Sequence, residues 1–191
     1  KKNTMRPRGY FSGAAVADKD REHMEPAEIR SFFLKLQEPP EIENNHRFWY
    51  PYFYLQYHFG CRLSEPALMF DVDDVDVVKK QIVVKRLKKT SEEDGMVPHL
   101  YTMDDRVLAA VQQIRQWKRD EGLTENPFLF PSRREQKIVG AERLSQLRNC
   151  DGFQAVSRFT AHRQFQRVAQ LCKLSPKLSQ SHVLRNTRTV L

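Results

Sequence analysis

His182 and Arg185 stand three positions apart in SHVLRNTRTVL, residues 181–191. If the stretch is helical they lie side by side on one face, and the pair suits an anion. A guanidinium is permanently charged, planar and able to give two parallel hydrogen bonds to phosphate oxygens; an imidazole near neutral pH donates a hydrogen bond or moves a proton. Far upstream, Arg62 follows a glycine in FGCRLSE, and Lys88 and Lys89 open the polar stretch KKTSEEDG, residues 88–95. Taken singly, each has an ordinary reading: Arg62 a surface or helix-end cation, the lysines a solvated turn, His182 a capped or core histidine.

Other reactive side chains point away from metal or redox chemistry. The acidic run DVDDVD, residues 71–76, could tempt a magnesium ion, but it reads as exposed strand-end carboxylates that also limit stray phosphate contact. His23, His46, His58, His99 and His162 show no ligand spacing. Cys61, Cys150 and Cys172 are odd in number, far apart and without a C-x-x-C pair, which argues against a disulfide framework and against zinc. Neither a metal nor another cofactor is expected.

The chain of 191 residues is long enough for one domain with its own core. With 40% hydrophobic and 29% charged residues, it is neither a disordered nor a membrane-embedded sequence. No apolar run approaches the roughly 18 residues of a spanning helix, and no amino-terminal stretch has a signal-peptide layout. A soluble, intracellular protein is expected. The formal net charge of +8 favours an anionic partner without naming it.

The elements that must position these groups follow from periodicity. Residues 1–25 are polar and without period, a linker-like segment. Pro26 suits a first helical turn, Ile29, Phe32, Phe33 and Leu36 recur at helical spacing, and Pro39 and Pro40 end the pattern. HRFWYPYFYLQYHFG, residues 46–60, is aromatic on nearly all sides and so predicts a buried helix rather than a base-stacking platform. Pro51 starts or kinks it, and Gly60 ends it in a left-handed cap. After Ser64, a candidate N-cap, β-branched runs at 75–78, 81–87 and 96–100 predict three antiparallel strands. Residues 88–95 are the turn between the last two. Asp104 and Asp105 open a helix whose apolar face is Val107, Leu108, Val111 and Ile114, with Lys118 and Arg119 complementing its dipole and Gly122 beyond. ENPFLFPSRR, residues 125–134, is an extended connector. Residues 155–172 form an amphipathic helix with Phe165, Val168, Ala169 and Cys172 inward and Arg158, Arg163 and Arg167 on its other positions. Ser179 or Ser181 caps the last segment.

This order carries a resemblance. FGCRLSEPALMFDVDDVD is similar to the first arginine box of the tyrosine recombinases, or phage integrases, which reads G-x-R-x-S-E before an apolar helix. SHVLRNT resembles their second box, H-x-L-R-H-T, and NPFLFPSR their connector before the later helices. The resemblance spans nearly all of residues 24–191. It implies a mainly helical α+β fold, a helix bundle with a small three-stranded antiparallel sheet, and a catalytic domain over 26–191. It also implies site-specific cutting and rejoining of double-stranded DNA through a 3′-phosphotyrosyl link, without cofactor, by a tetramer on DNA. The implied setting is the bacterial cytoplasm, at the nucleoid, in a bacterial or phage-encoded protein.

Carried across position by position, Arg62 and Arg185 would clamp the scissile phosphate, with His182 beside it. Lys89 would protonate the departing 5′ oxygen, with Lys88 as the rival, and Glu65 would orient its neighbours. Arg158, Arg163 and Arg167 are candidates for DNA-backbone contact. Two departures stand out. Asn186 replaces a second histidine, and no tyrosine follows Arg185. The chain is therefore expected to be a fragment ending before the nucleophile, or to receive the tyrosine from a neighbouring protomer. Two other functions compete: a recombinase-like module that grips DNA without cutting, and a basic helical protein-interaction domain.

Overall fold

The computed structural model describes residues 23–38, 45–87, 96–132, 149–150, 152–178, 180 and 182–190. Helix α1, Pro26–Gln37, has proline in its first turn, and the Glu28 carboxylate accepts the Glu25 N–H at 2.7 Å. Ile29, Phe32 and Leu36 turn inward. The core extends one step further back, because Met24 is fully buried. A π-helical turn, Asn45–Trp49, leads into helix α2, Tyr50–Phe59, with Pro51 in its first turn.

Helix α2 is buried as its aromatic surface predicts. Tyr52, Phe53 and Leu55 are fully enclosed. Phe53 meets Phe32 of α1, while Phe48 packs edge-on to Trp117 and Phe130 at 4.7 and 5.7 Å. The three-stranded sheet is antiparallel in the order β1-β2-β3: Val75–Asp76, Gln81–Leu87 and Met96–Thr102. The register runs from Gln81 opposite Thr102 to Leu87 opposite Met96. Strand β1 is shorter than expected because Asp76 Oδ1 accepts the N–H groups of Val78 and Lys79, turning the chain at once. Strand β3 runs two residues past the expected end.

Helix α3, Asp105–Asp120, is capped by Asp104, whose side chain accepts the Val107 N–H at 2.8 Å. The connector is extended: Phe128 bridges Phe70, and Pro131 bridges Ala155. A two-residue hairpin pair, β4 (Asn149–Cys150) and β5 (Phe153–Gln154), precedes helix α4, Arg158–Leu171, capped by Ser157. Phe165 of α4 lies 5.1 Å from Phe32 of α1, centroid to centroid. Helix α5, Val183–Val190, closes the order by packing on α2.

Three local expectations are corrected. Ser64 is not an N-cap; Glu65 holds that position before a single 3-10 turn, Pro66–Leu68, where a longer apolar helix was expected. The acidic run is not uniformly exposed. Asp74 is buried and takes Lys85 Nζ at 2.6 Å, and Asp71 takes Arg115 Nε and Lys118 Nζ, each at 2.6 Å. Lys118 is not a surface cation serving the helix dipole. It is buried, and its ammonium also donates to the carbonyls of Asn126 and Phe128 at 2.9 and 3.0 Å.

Candidate functional site

The site is built around the carboxyl end of α2. Gly60 has φ +62°, the left-handed conformation that glycine adopts without strain, and the Cys61 N–H reaches back to the Gln56 carbonyl at 2.8 Å. This reversal brings Arg62 out of the core. Its carbonyl accepts the Glu65 N–H at 2.9 Å, so residues 62–65 form one tight turn.

Inside that turn lies Glu65, only 1% exposed. Its Oε2 accepts the Arg62 N–H at 2.7 Å and Arg86 Nη1 at 3.1 Å, and its Oε1 accepts the Leu87 N–H at 3.1 Å. A buried carboxylate holds its charge only when so satisfied. The Arg62 guanidinium stays apart, with Nη1 3.7 Å from Oε1 and the side chain 41% exposed. Arg86 reaches further, donating to the carbonyls of Phe59 and Gly60 that α2 leaves open and to the Tyr101 hydroxyl at 3.1 Å.

Helix α5 arrives at the same end of α2. Arg188 Nε donates to the His58 carbonyl at 3.3 Å, and the buried Thr187 Oγ1 accepts the Met24 N–H at 2.9 Å. Both Arg185 and His182 are exposed. The His182 carbonyl accepts the Asn186 N–H, so the two follow helical spacing. Arg185 is near enough for its charge to act on the Cys61 thiol, the residue beside Arg62. Burial pushes that thiol up to about 12; the Arg86 charge opposes the rise, Glu65 adds to it, and Arg185 opposes it. Burial likewise lowers the His58 imidazole, with Arg188 acting in the same direction and Asp104 against it. The end of α2 therefore gathers Arg62, Arg86, Arg185 and Arg188 from three separate stretches of chain; Arg86 is taken up by internal acceptors, while Arg62 is partly exposed and Arg185 exposed, a local excess of positive charge.

By sequence, neither a protein-family model nor a curated protein matches the chain. Solved structures do. It is similar to the crystal structure of XerA recombinase at 15% identity and a TM-score of 0.57, over 85% of this chain and 47% of that one. It is similar to XerH site-specific recombinase bound to a palindromic difH substrate, a post-cleavage complex, at 15% identity and a TM-score of 0.59, over 88% and 41%. A third likeness is the Tn1549 transposon integrase in complex with circular intermediate DNA, at 17% identity and a TM-score of 0.55, over 90% and 54%. The chain has the fold of a tyrosine recombinase catalytic domain. It spans about half the length of those recombinases, or less.

Within the recombinase fold, Arg62 and Glu65 lie together just past the end of α2, Arg185 is near enough for its charge to reach Cys61 beside them, and His182 stands at the start of α5. Lys88 and Lys89 lie outside the described residues, directly after Leu87, whose N–H Glu65 holds. Arg158, Arg163 and Arg167 are exposed on a different element, α4, whose buried side packs on α1. Among the described residues no three His, Cys, Asp or Glu side chains cluster as a metal ion would need, and no helix is long and apolar enough to cross a membrane. Sequence reasoning missed Arg86. The signal was there: residues 82, 84 and 86 share one face of β2, and Ile82 and Val84 are buried, so an arginine in that register must find acceptors inside.

Proposed function

We propose that this domain cuts and rejoins double-stranded DNA at specific sites as the catalytic core of a tyrosine recombinase. The observation that carries the reading is the convergence at α2. Arg188 of α5 bonds to the carbonyl of His58, 130 positions earlier, and so the two arginine-bearing segments share one surface. The XerH and Tn1549 neighbours are DNA complexes, the XerH one in a post-cleavage state.

In this reading Arg62 and Arg185 donate to the nonbridging oxygens of one phosphate and offset the charge that builds on phosphorus. A tyrosine hydroxyl attacks the phosphorus. The new bond joins its oxygen to phosphorus as the bond from phosphorus to the 5′ oxygen breaks. The tyrosine proton leaves to a base, a role open to His182, and the 5′ oxygen takes its proton from Lys89 or Lys88. Glu65 holds the Arg62 turn. Because the 3′-phosphotyrosyl link keeps the bond energy, rejoining is the reverse displacement, and neither a nucleotide nor a metal is required for it. Arg158, Arg163 and Arg167 contact the DNA backbone, and the working assembly is a tetramer holding two duplexes.

The test is a nicked suicide duplex offered to the full-length protein. A covalent protein–DNA adduct is expected, and Arg62→Ala or Arg185→Ala should slow its formation about a hundredfold or more. Steeply salt-dependent duplex binding without any adduct would make the domain a non-cleaving DNA module. Binding that is absent or indifferent to salt would remove both readings in favour of a protein-interaction domain.

A further inference from the structure

We infer that Arg86 is a positioning residue: by occupying Glu65 it keeps the Arg62 guanidinium free to take a phosphate. The inference rests on the proposed reading of Arg62 as a phosphate contact. Glu65 is a buried charge and must be balanced. Among the described residues two side-chain cations lie within ion-pair reach of it, Arg86 at 3.1 Å and Arg62 at 3.7 Å. The nearer one holds the carboxylate. The farther one stands just beyond hydrogen-bond range, half out in solvent.

The division of labour follows from what else holds each arginine. Arg86, with its side chain 20% exposed, is fixed independently of Glu65 by the carbonyls of Phe59 and Gly60 and by the Tyr101 hydroxyl. It cannot drift off. Arg86 and the N–H groups of Arg62 and Leu87 take three of the roughly four acceptor sites of Glu65, two on Oε2 and one on Oε1, and Arg86 already balances its charge, so the pull on the Arg62 side chain is weakened. Remove Arg86 and the balance inverts. Among the described residues the buried carboxylate then has Arg62 as its nearest cation, and a movement of about 1 Å would close a charge-assisted pair. Arg62 would be drawn inward, away from the anion it is proposed to bind.

The experiment is duplex affinity across a salt series for the protein and four variants. Each phosphate contact contributes about 0.9 to the slope of log affinity against log salt. Arg62→Ala should lower the slope by about that much and weaken binding about tenfold. Arg86→Met, which touches no DNA in this scheme, should do the same. Combined with Arg62→Ala it should add nothing, since both changes remove one contact. Arg86→Met with Glu65→Gln should recover the slope, because the neutral amide no longer competes for Arg62. A purely structural role predicts the opposite for that double variant, a further loss. If Arg86→Met alone does not fold, the double variant, which leaves no unbalanced charge, decides the matter: a slope equal to that of Arg62→Ala overturns the inference. An unchanged slope in Arg62→Ala would instead defeat the phosphate reading itself. Loss in Arg62→Ala but not in Arg86→Met would defeat only the role of Arg86.

Discussion

Replacing Lys118 by methionine tests the polar strut that holds the connector beneath the aromatic core. The side chain is 3% exposed, and its ammonium donates to Asp71 at 2.6 Å and to the carbonyls of Asn126 and Phe128 at 2.9 and 3.0 Å. Methionine keeps most of the buried stem, so the loss falls on the polar end. Asp71 is not stranded, since Arg115 Nε still holds it at 2.6 Å; the full cost of an abandoned buried charge, about 3–5 kcal/mol, therefore does not apply. Two buried carbonyls do lose their donor, at about 1–3 kcal/mol each, partly offset because no ammonium has to be desolvated. The expected net loss is about 3 kcal/mol. For a chain of this size that lowers the melting temperature by about 6–12 °C. Circular dichroism melts and urea titrations should agree on it, with an unchanged m-value. A loss below about 1 kcal/mol, or a gain, would refute the reasoning by showing that desolvation of the ammonium outweighs its three bonds. Asp71→Asn should couple to Lys118→Met by about 0.5 kcal/mol or more, because the two share one bond.

Two further outcomes are open to measurement. The Cys61 thiol lies at about 12 in the folded protein against an ordinary 9.0, so its contribution to stability is complete below pH 9 and is lost as pH rises toward 12. Native protein at pH 9 should alkylate at the partly exposed Cys150 before Cys61, and Cys61→Ala should flatten an alkaline decline of about 1.4 kcal/mol per pH unit. Thr187→Val strips the buried Met24 N–H of its acceptor and should cost about 1–3 kcal/mol, read as faster hydrogen exchange at Met24 and along α5.

What could be read from residue types was whatever local chemistry dictates. Gly60 ends α2 because the left-handed position has few other occupants, and Asp104 starts α3 because its carboxylate satisfies an open N–H. The aromatic run is core because it is apolar on nearly all sides. The hidden features depend on partners distant in sequence. Lys118 looked like a helix-end cation until the carbonyls at 126 and 128 turned out to lie over it, and the acidic run looked exposed until Arg115, Lys118 and Lys85 were seen to face it. By type Ser64 is the better N-cap, yet the 3-10 turn starts after Glu65. Glu65 is drawn inward because the end of β2 offers it both an N–H and a guanidinium.

The same distinction explains how so slight a sequence likeness to solved recombinases coexists with a shared fold. Fifteen per cent identity leaves most contacts free to change, provided the path of the chain still returns α5 to the end of α2. Among the described residues that return is fastened by the buried Val183 and Leu184 and by the hydrogen bonds of Thr187 with Met24 and Arg188 with His58. The arginine turn is held by a third arrangement, Glu65 with Arg86. In this chain the groups that fasten the site are therefore different from the Arg62 and Arg185 cations beside them. That is why a short pattern around Arg62 and Arg185 was visible in the sequence, and the fastenings became visible only once the chain was folded.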